Sequence, residues 1–165
     1  MKQLQKVIYC LDTEGFTFKP KTETAAISSR IANNPKASTI EELAKYHVTE
    51  GRTITAATFK KKDGVLARRD ENWHAQQLFL LDFDGSLTVQ EALSRCKKFE
   101  IEPSLIYATF SSEKSNNRFR MVFCLSEPTY DIKKDILFKN HFRPSSLNVI
   151  RQRQQLPICI SAGKE

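Results

Sequence analysis

Two aspartates separated by one residue, Asp82 and Asp84, directly follow an apolar run at residues 78–81. Alternate side chains of a strand share a face, so both carboxylates are predicted to point to one side. Two carboxylates this close repel each other unless a divalent cation or a shared proton compensates. Magnesium is the natural hard cation for oxygen ligands, and its chemistry in proteins is usually that of phosphate groups. The pair therefore predicts a magnesium (or manganese) site, with two solvated loop acids as the alternative.

Two arginines further along the chain, Arg118 and Arg120, alternate with apolar residues over 118–125. This pattern predicts a strand with both guanidinium groups on one face, a geometry suited to bidentate contacts with phosphate oxygens. The alternative is a solvent-facing edge strand whose charges prevent aggregation. The polar segment before this strand offers further candidate phosphate contacts, namely Ser111, Ser112 and Lys114.

Local patterns predict the elements that position these residues. The run at 78–81 is typical of a strand buried on both faces. Thr88 and Glu91 then form a capping-box pattern that starts a helix. A hairpin follows, with strands at 105–110 and 118–125 joined by a polar turn. The predicted fold class is therefore α+β, a mixed β-sheet with helices packed on it.

Upstream of the aspartates, the patterns predict a strand at 6–11 and a helix at 24–32. A second capping box at 39–42 starts a short helix. Residues 53–59 are β-prone, and the lysine-rich segment at 60–64 indicates a turn.

The length of 165 residues predicts one domain. Within it, residues 1–37 are expected to form an N-terminal extension and residues 38–138 the core. Residues 139–165 show no periodicity and are expected to form an irregular basic tail.

Composition excludes several classes of protein. Hydrophobic residues make up 40% and charged residues 27%, which is typical of a globular chain. No apolar run approaches the ~18 residues that cross a bilayer, so no membrane partner is expected. The four cysteines lie far apart without a CxxC pair, which argues against a zinc ribbon or a disulfide scaffold. This cysteine usage favours the cytoplasm.

The excess positive charge lies near the end of the chain. Residues 1–113 contain 16 lysines and arginines against 15 acids, whereas residues 114–165 contain 10 against 4. This distribution favours a polyanionic partner, with a basic surface that only maintains solubility as the alternative.

The segment LLDFDGSL at 80–87 resembles the first motif of haloacid-dehalogenase-type phosphatases. That resemblance would make Asp82 the nucleophile and Asp84 the general acid and base. Such enzymes open with this motif near the N-terminus and need a later acidic pair for magnesium. Here 81 residues precede Asp82, and no two adjacent carboxylates follow Asp84.

A second resemblance spans residues 38–132 and concerns the primase-polymerase domains of the archaeo-eukaryotic primase superfamily, above all those of plasmids and phages. Four segments carry it in the same order: GRT at 51–53, QLFLLDFD at 77–84, IYATFSS at 106–112 and RFRMVF at 118–123. The resemblance implies an RNA-recognition-like core, incomplete at the C-terminus, in which Asp82 and Asp84 hold metal ions. It also implies that the following hairpin binds the incoming triphosphate.

This resemblance implies a nucleic-acid-acting protein of a mobile element, with single-stranded DNA or RNA and nucleotides as partners. Its reaction would be nucleotidyl transfer or phosphodiester cleavage that depends on magnesium or manganese.

There are two departures from the family pattern, and the second favours a different class of function. The family's second motif often has a histidine, and none lies between His74 and His141. A third metal-binding acid is expected on a later strand, yet none occurs between Asp135 and Glu165. The alternative is a catalytically inactive inhibitor or accessory, for example an anti-CRISPR protein, that binds nucleic acid or a host nucleoprotein complex.

Overall fold

The computed structural model describes three stretches of the chain, residues 5–85, 87–113 and 117–133. They form two compact units, the first from residues 5–78 with Pro128–Ile132 and the second from Phe79–Glu127. In these stretches, no helix is both long enough and apolar enough to cross a membrane.

The first unit is built on a three-stranded antiparallel sheet with strand order β2-β1-β3. Its strands are β1 (Val7–Gly15), β2 (Pro35–Ser38) and β3 (Arg52–Thr55). The central strand β1 pairs on both edges, and its residues from Tyr9 to Asp12 are all buried. A strand that the sequence shows only as a short apolar run is therefore the middle of this sheet.

The first helix, α1 (Thr24–Ala32), packs on β1 through the buried residues Ile27 and Ile31. An ion pair also joins the two elements, because Asp12 of β1 is fully buried and faces Arg30. Arg30 Nε donates to Asp12 Oδ1 at 2.6 Å, and Nη2 donates to Oδ2 at 3.1 Å. This bidentate contact compensates a carboxylate that is removed from water.

The second helix, α2 (Ile40–Ala44), begins with the predicted capping box. Thr39 Oγ1 accepts a hydrogen bond from the backbone N–H of Glu42 at 3.3 Å, and Glu42 Oε2 accepts one from the N–H of Thr39 at 3.0 Å. A π-helical turn, Lys45–Thr49, continues the helix. The chain then enters β3 through Gly51, which has a left-handed φ of 65°.

A second sheet has strand order β4-β5-β7-β6. Its strands are β4 (Ala57–Phe59), β5 (Trp73–Asp84), β6 (Leu105–Ala108) and β7 (Arg118–Thr129). Within the first unit, β4 pairs with the start of β5. The second unit contains the rest of β5 together with the predicted β6–β7 hairpin.

One face of this sheet in the second unit is covered by α3 (Val89–Lys98). The helix starts with the second predicted capping box, in which Thr88 Oγ1 accepts from the N–H of Glu91 at 3.2 Å. The core between helix and sheet consists of alternate residues of β5 and β7 with two residues of α3: Phe79, Leu81, Phe83, Phe119, Met121, Phe123, Leu125, Ala92 and Cys96. Every second residue of β5 and β7 is therefore left for the opposite face.

The predicted α+β class is confirmed, but the predicted mixed sheet is wrong, because the described strands form two antiparallel sheets. Strands β5 and β6 are joined by a helix and run in the same direction. Strand β7 lies between them, so neighbouring strands are antiparallel.

Several predicted boundaries change for identifiable reasons. Strand β5 begins at Trp73, well before the apolar run at 78–81 from which it was predicted. The added part contains the polar residues Gln76 and Gln77, which the strand can bury because both have hydrogen-bond partners. The predicted boundary after residue 37 falls inside β2. The predicted tail at 139–165 lies outside the described residues.

Three of the four cysteines, Cys10, Cys96 and Cys124, have buried side chains. Burial raises the pKa of Cys10 and of Cys96 from the ordinary value of 9.0 to about 11, because desolvation disfavours the thiolate.

With Cys159 replaced by serine, we expect the folded protein to react with Ellman's reagent far more slowly than the protein in urea. The pKa of the Cys10 and Cys96 thiols is higher in the folded protein than in the unfolded protein. Protonated burial of these thiols therefore contributes to the free energy of unfolding below pH 9.0, and this contribution is lost as the pH rises towards 11. Urea titrations across this range measure the loss, and rapid modification of the folded variant would contradict the expectation.

Candidate phosphate and metal site

The two aspartates predicted as metal ligands lie at the end of β5, on the face of the sheet opposite α3. Phe83 between them points into the core and stacks on Phe119, with ring centroids 4.6 Å apart. Asp82 and Asp84 are both exposed, and the side chain of Asp82 is 52% accessible. The alternation predicted from the sequence therefore brings the two carboxylates to one accessible face.

Arg120 of β7 lies on the same face and contacts the first aspartate directly. Its Nε donates to Asp82 Oδ1 at 2.5 Å, and its Nη1 donates to the hydroxyl of Tyr107 at 3.2 Å. Tyr107 is the cross-strand partner of Arg120 in the β6–β7 register. One guanidinium group thus links an acid of β5 to a phenol of β6.

The ionisation of this cluster follows from its surroundings. Burial alone would lower the pKa of Arg120, but its contacts with Asp82 and Tyr107 outweigh burial and raise that pKa. Burial raises the pKa of Tyr107, against the opposing effect of the Arg120 charge. Arg120 is therefore a fixed cation and Tyr107 a neutral phenol at neutral pH.

Arg118, two residues earlier on β7, has different surroundings. Its Nε atom is buried and has no hydrogen-bond partner within the described stretches. A buried charged donor without a partner is costly, since the solvation it loses is not replaced. The Nε of Arg118 thus has hydrogen-bonding capacity that no described residue uses.

The hydroxyl groups predicted to contact phosphate are placed at the hairpin turn. Ser112 Oγ accepts a hydrogen bond from the backbone N–H of Arg118 at 3.1 Å, and its hydroxyl also lies 3.4 Å from Asn117 Oδ1. Ser112 therefore closes the turn at the start of β7. Ser111 is partly exposed beside it, and Lys114 lies outside the described residues.

The cluster supplies two carboxylates and two guanidinium groups on one face of a sheet. In the described part of the chain, no group of three or more His, Cys, Asp or Glu side chains is arranged to hold a metal ion. Asp82 and Asp84 are thus a two-carboxylate donor set, in which Arg120 already neutralises Asp82. Such a set suits a hard cation that also takes oxygen ligands from a bound phosphate.

Sequence patterns predicted the four charged residues of the candidate site but not Tyr107. The hairpin register pairs Tyr107 with Arg120, whereas a register centred on the predicted turn at 111–117 would have paired Tyr107 with Met121 on the other face. The contact between Arg120 and Asp82 joins residues 38 positions apart and has no local signal.

Comparison with known proteins gives no match to any family model, curated protein or solved structure. The functional proposal therefore depends on the residues of this chain.

Proposed function

We propose that this protein acts on nucleic acid through a magnesium- and phosphate-binding site of primase-polymerase type on the second sheet. In this proposal, Asp82 and Asp84 hold the metal ion, and Arg118 and Arg120 bind phosphate oxygens. The reaction would be nucleotidyl transfer or phosphodiester cleavage, in which the metal stabilises the oxygens that attack and leave phosphorus.

The observation that carries the proposal is that the two aspartates and the two arginines share one face of the sheet. Arg120 Nε lies 2.5 Å from Asp82 Oδ1 on this face. A phosphate group needs positive donors, and a metal ion that accompanies it needs carboxylates. By strand alternation the guanidinium group of Arg118 lies on the same face as that of Arg120 and adds a second cationic donor.

The proposal predicts that magnesium stabilises the folded protein. A ligand that binds only the folded state at about ten times its Kd adds roughly 1.4 kcal/mol, which is about 3–5 °C in Tm for a chain of this size. Replacing both acids, Asp82→Asn with Asp84→Asn, should abolish the increment. Thermal unfolding with and without magnesium measures it.

The matched control replaces two exposed loop acids, Asp63→Asn with Asp70→Asn, which removes the same charge elsewhere. This control should keep the magnesium increment. An increment that survives in the Asp82 and Asp84 double variant would show that magnesium binds elsewhere.

The Asp82–Arg120 ion pair favours a second candidate function, a catalytically inactive nucleic-acid-binding inhibitor or accessory. A carboxylate occupied by a guanidinium group is a weaker metal ligand, and two-metal chemistry needs enough negative charge to hold both ions ~3.5–4 Å apart. The same arginines would then serve binding alone.

We therefore expect little or no templated primer synthesis by the chain on its own. The measurement is incubation with single-stranded template, labelled nucleotides and manganese, with products separated on a gel. A primer ladder that vanishes in Asp82→Asn would contradict this expectation and identify the protein as an active polymerase. Hydrolysis of a simple phosphate monoester, inhibited by beryllofluoride, would instead support the phosphatase interpretation.

A further inference from the structure

The connection between β4 and β5, residues 60–72, is an exposed basic loop with a fixed conformation; we refer to it as the basic loop. At its tip, Lys62 and Val65 exchange two backbone hydrogen bonds of 2.9 Å. The two residues between them, Asp63 and Gly64, have φ values of 50° and 77°. These are the features of a two-residue hairpin turn with a defined geometry.

The base of the basic loop is held by Asn72, a buried residue with 2% exposure. Its side-chain amide donates to the carbonyl of Lys60 at 3.0 Å and to that of Val65 at 2.7 Å. Its own backbone carbonyl accepts from the N–H of Lys60 at 2.8 Å. Much of the conformational entropy of the loop is thus lost on folding, before any ligand binds.

The charges of the basic loop are only partly paired. Its cations are Lys60, Lys61, Lys62, Arg68 and Arg69, and its acids are Asp63, Asp70 and Glu71. Lys62 and Arg69 both contact Glu71, at 3.8 and 3.6 Å. Lys60, Lys61 and Arg68 are exposed and form no ion pair within the described stretches.

A pair of aromatic rings includes a residue just beyond the end of this loop. His74, two residues after Asn72, has its ring centroid 5.5 Å from that of Tyr130 in an edge-on contact. Tyr130 is 68% exposed, although large aromatic side chains usually bury most of their surface. All these residues belong to the first unit.

We propose that the basic loop and the His74–Tyr130 pair form a binding surface for single-stranded nucleic acid. Lys60, Lys61 and Arg68 contact the phosphates, and the exposed ring of Tyr130 stacks on an unpaired base. Cations on an ordered loop, together with exposed rings, are the combination that binds single strands, since duplex bases are not free to stack on a side chain. This inference rests on the proposed function for its class of partner, and it adds a surface that does not use Asp82 or Arg120.

The chain contains one tryptophan, Trp73, which lies between Asn72 and His74 and serves as the reporter. Its fluorescence is followed during titration with an oligothymidylate of about 12 nucleotides and with an abasic strand of equal length. We expect both strands to change the fluorescence, and the base-bearing strand to bind more tightly.

Two variants separate the two contacts. Lys60→Gln with Lys61→Gln should flatten the dependence of log affinity on log salt by about 1.4, which is two phosphate contacts. Tyr130→Ala should weaken oligothymidylate at least about fivefold and leave the abasic strand unchanged. The matched controls are Lys97→Gln with Lys98→Gln on α3, and Phe18→Ala, whose ring is 69% exposed.

The outcomes distinguish this inference from the proposed function. The first outcome is that the loop and Tyr130 variants lose affinity for the oligonucleotide, whereas the double variant Arg118→Ala, Arg120→Ala binds it normally. This outcome would support the proposed surface and would contradict a role of the arginine site in nucleic-acid binding. Loop and Tyr130 variants that behave like their controls would overturn the surface, even where the arginine variant loses binding. If the unaltered protein binds neither strand, both proposals fail.

Discussion

Replacing Gly51 with alanine is expected to lower the free energy of unfolding by about 3 kcal/mol or more. Gly51 has a φ of 65°, and an added Cβ would lie 1.9 Å from the carbonyl oxygen of Phe16. The left-handed conformation costs an alanine about 1–2 kcal/mol, and the clash adds the cost of moving packed backbone. The N–H of Phe16 donates to the carbonyl of Gly51 at 3.0 Å, so the two segments cannot separate freely.

Gly64 provides the matched control for this substitution. Its φ of 77° is also left-handed, but an added Cβ would meet nothing within 4 Å. Gly64→Ala should therefore cost only the conformational part, about 1–2 kcal/mol. Urea denaturation measures both variants through the shift in midpoint at constant slope. Equal losses in the two variants would show that the Phe16 backbone accommodates a methyl group at residue 51.

The elements that were predicted correctly are those whose determinants are local. Both capping boxes, at Thr39 and at Thr88, need only a hydroxyl and a glutamate three residues apart. The alternation over 118–125 separates inward from outward residues in β7 without reference to any other strand.

The strand segments that were missed depend on partners distant in the chain. Asp12 is an acid in the centre of a sheet, and only its pairing with Arg30 of α1 makes that position tolerable. Gln77 is buried in β5 because its Oε1 accepts the backbone N–H of Ile8. Buried polar residues of this kind interrupt the hydrophobic pattern from which a strand is predicted.

The candidate site also combines features that local patterns predict with features that depend on residues distant in the chain. The shared face of Asp82 and Asp84, and that of Arg118 and Arg120, follows from strand periodicity. The register of β5 against β7 decides that Arg120 contacts Asp82, and no residue pattern within either strand sets that register.

Replacing Arg120 with glutamine should have opposite effects on the two ligands of the proposed site. In the folded protein, Arg120 competes with a metal ion for Asp82, and in the proposal it also binds phosphate. Removing it should therefore tighten magnesium binding and weaken triphosphate binding. A residue that only supports the fold would change both affinities in the same direction.

The size of the metal effect follows from the exposure of the ion pair. The side chains of Arg120 and Asp82 are 26% and 52% accessible, so solvent screens the pair. A screened pair is worth about 1 kcal/mol or less, so the apparent magnesium affinity should rise by up to roughly fivefold. The loss of a charge-assisted bidentate contact should weaken triphosphate by roughly tenfold or more.

Arg118→Gln is the control that separates the two roles, because the ion pair with Asp82 is made by Arg120. This variant should lose triphosphate affinity at unchanged magnesium affinity. Magnesium affinity is taken from Tm as a function of its concentration, and triphosphate affinity from isothermal titration calorimetry. Magnesium binding that weakens in Arg120→Gln would mean that Asp82 needs its arginine to stay in position. The ion pair would then be a structural contact that orients Asp82, and competition between Arg120 and the metal for this carboxylate would be excluded.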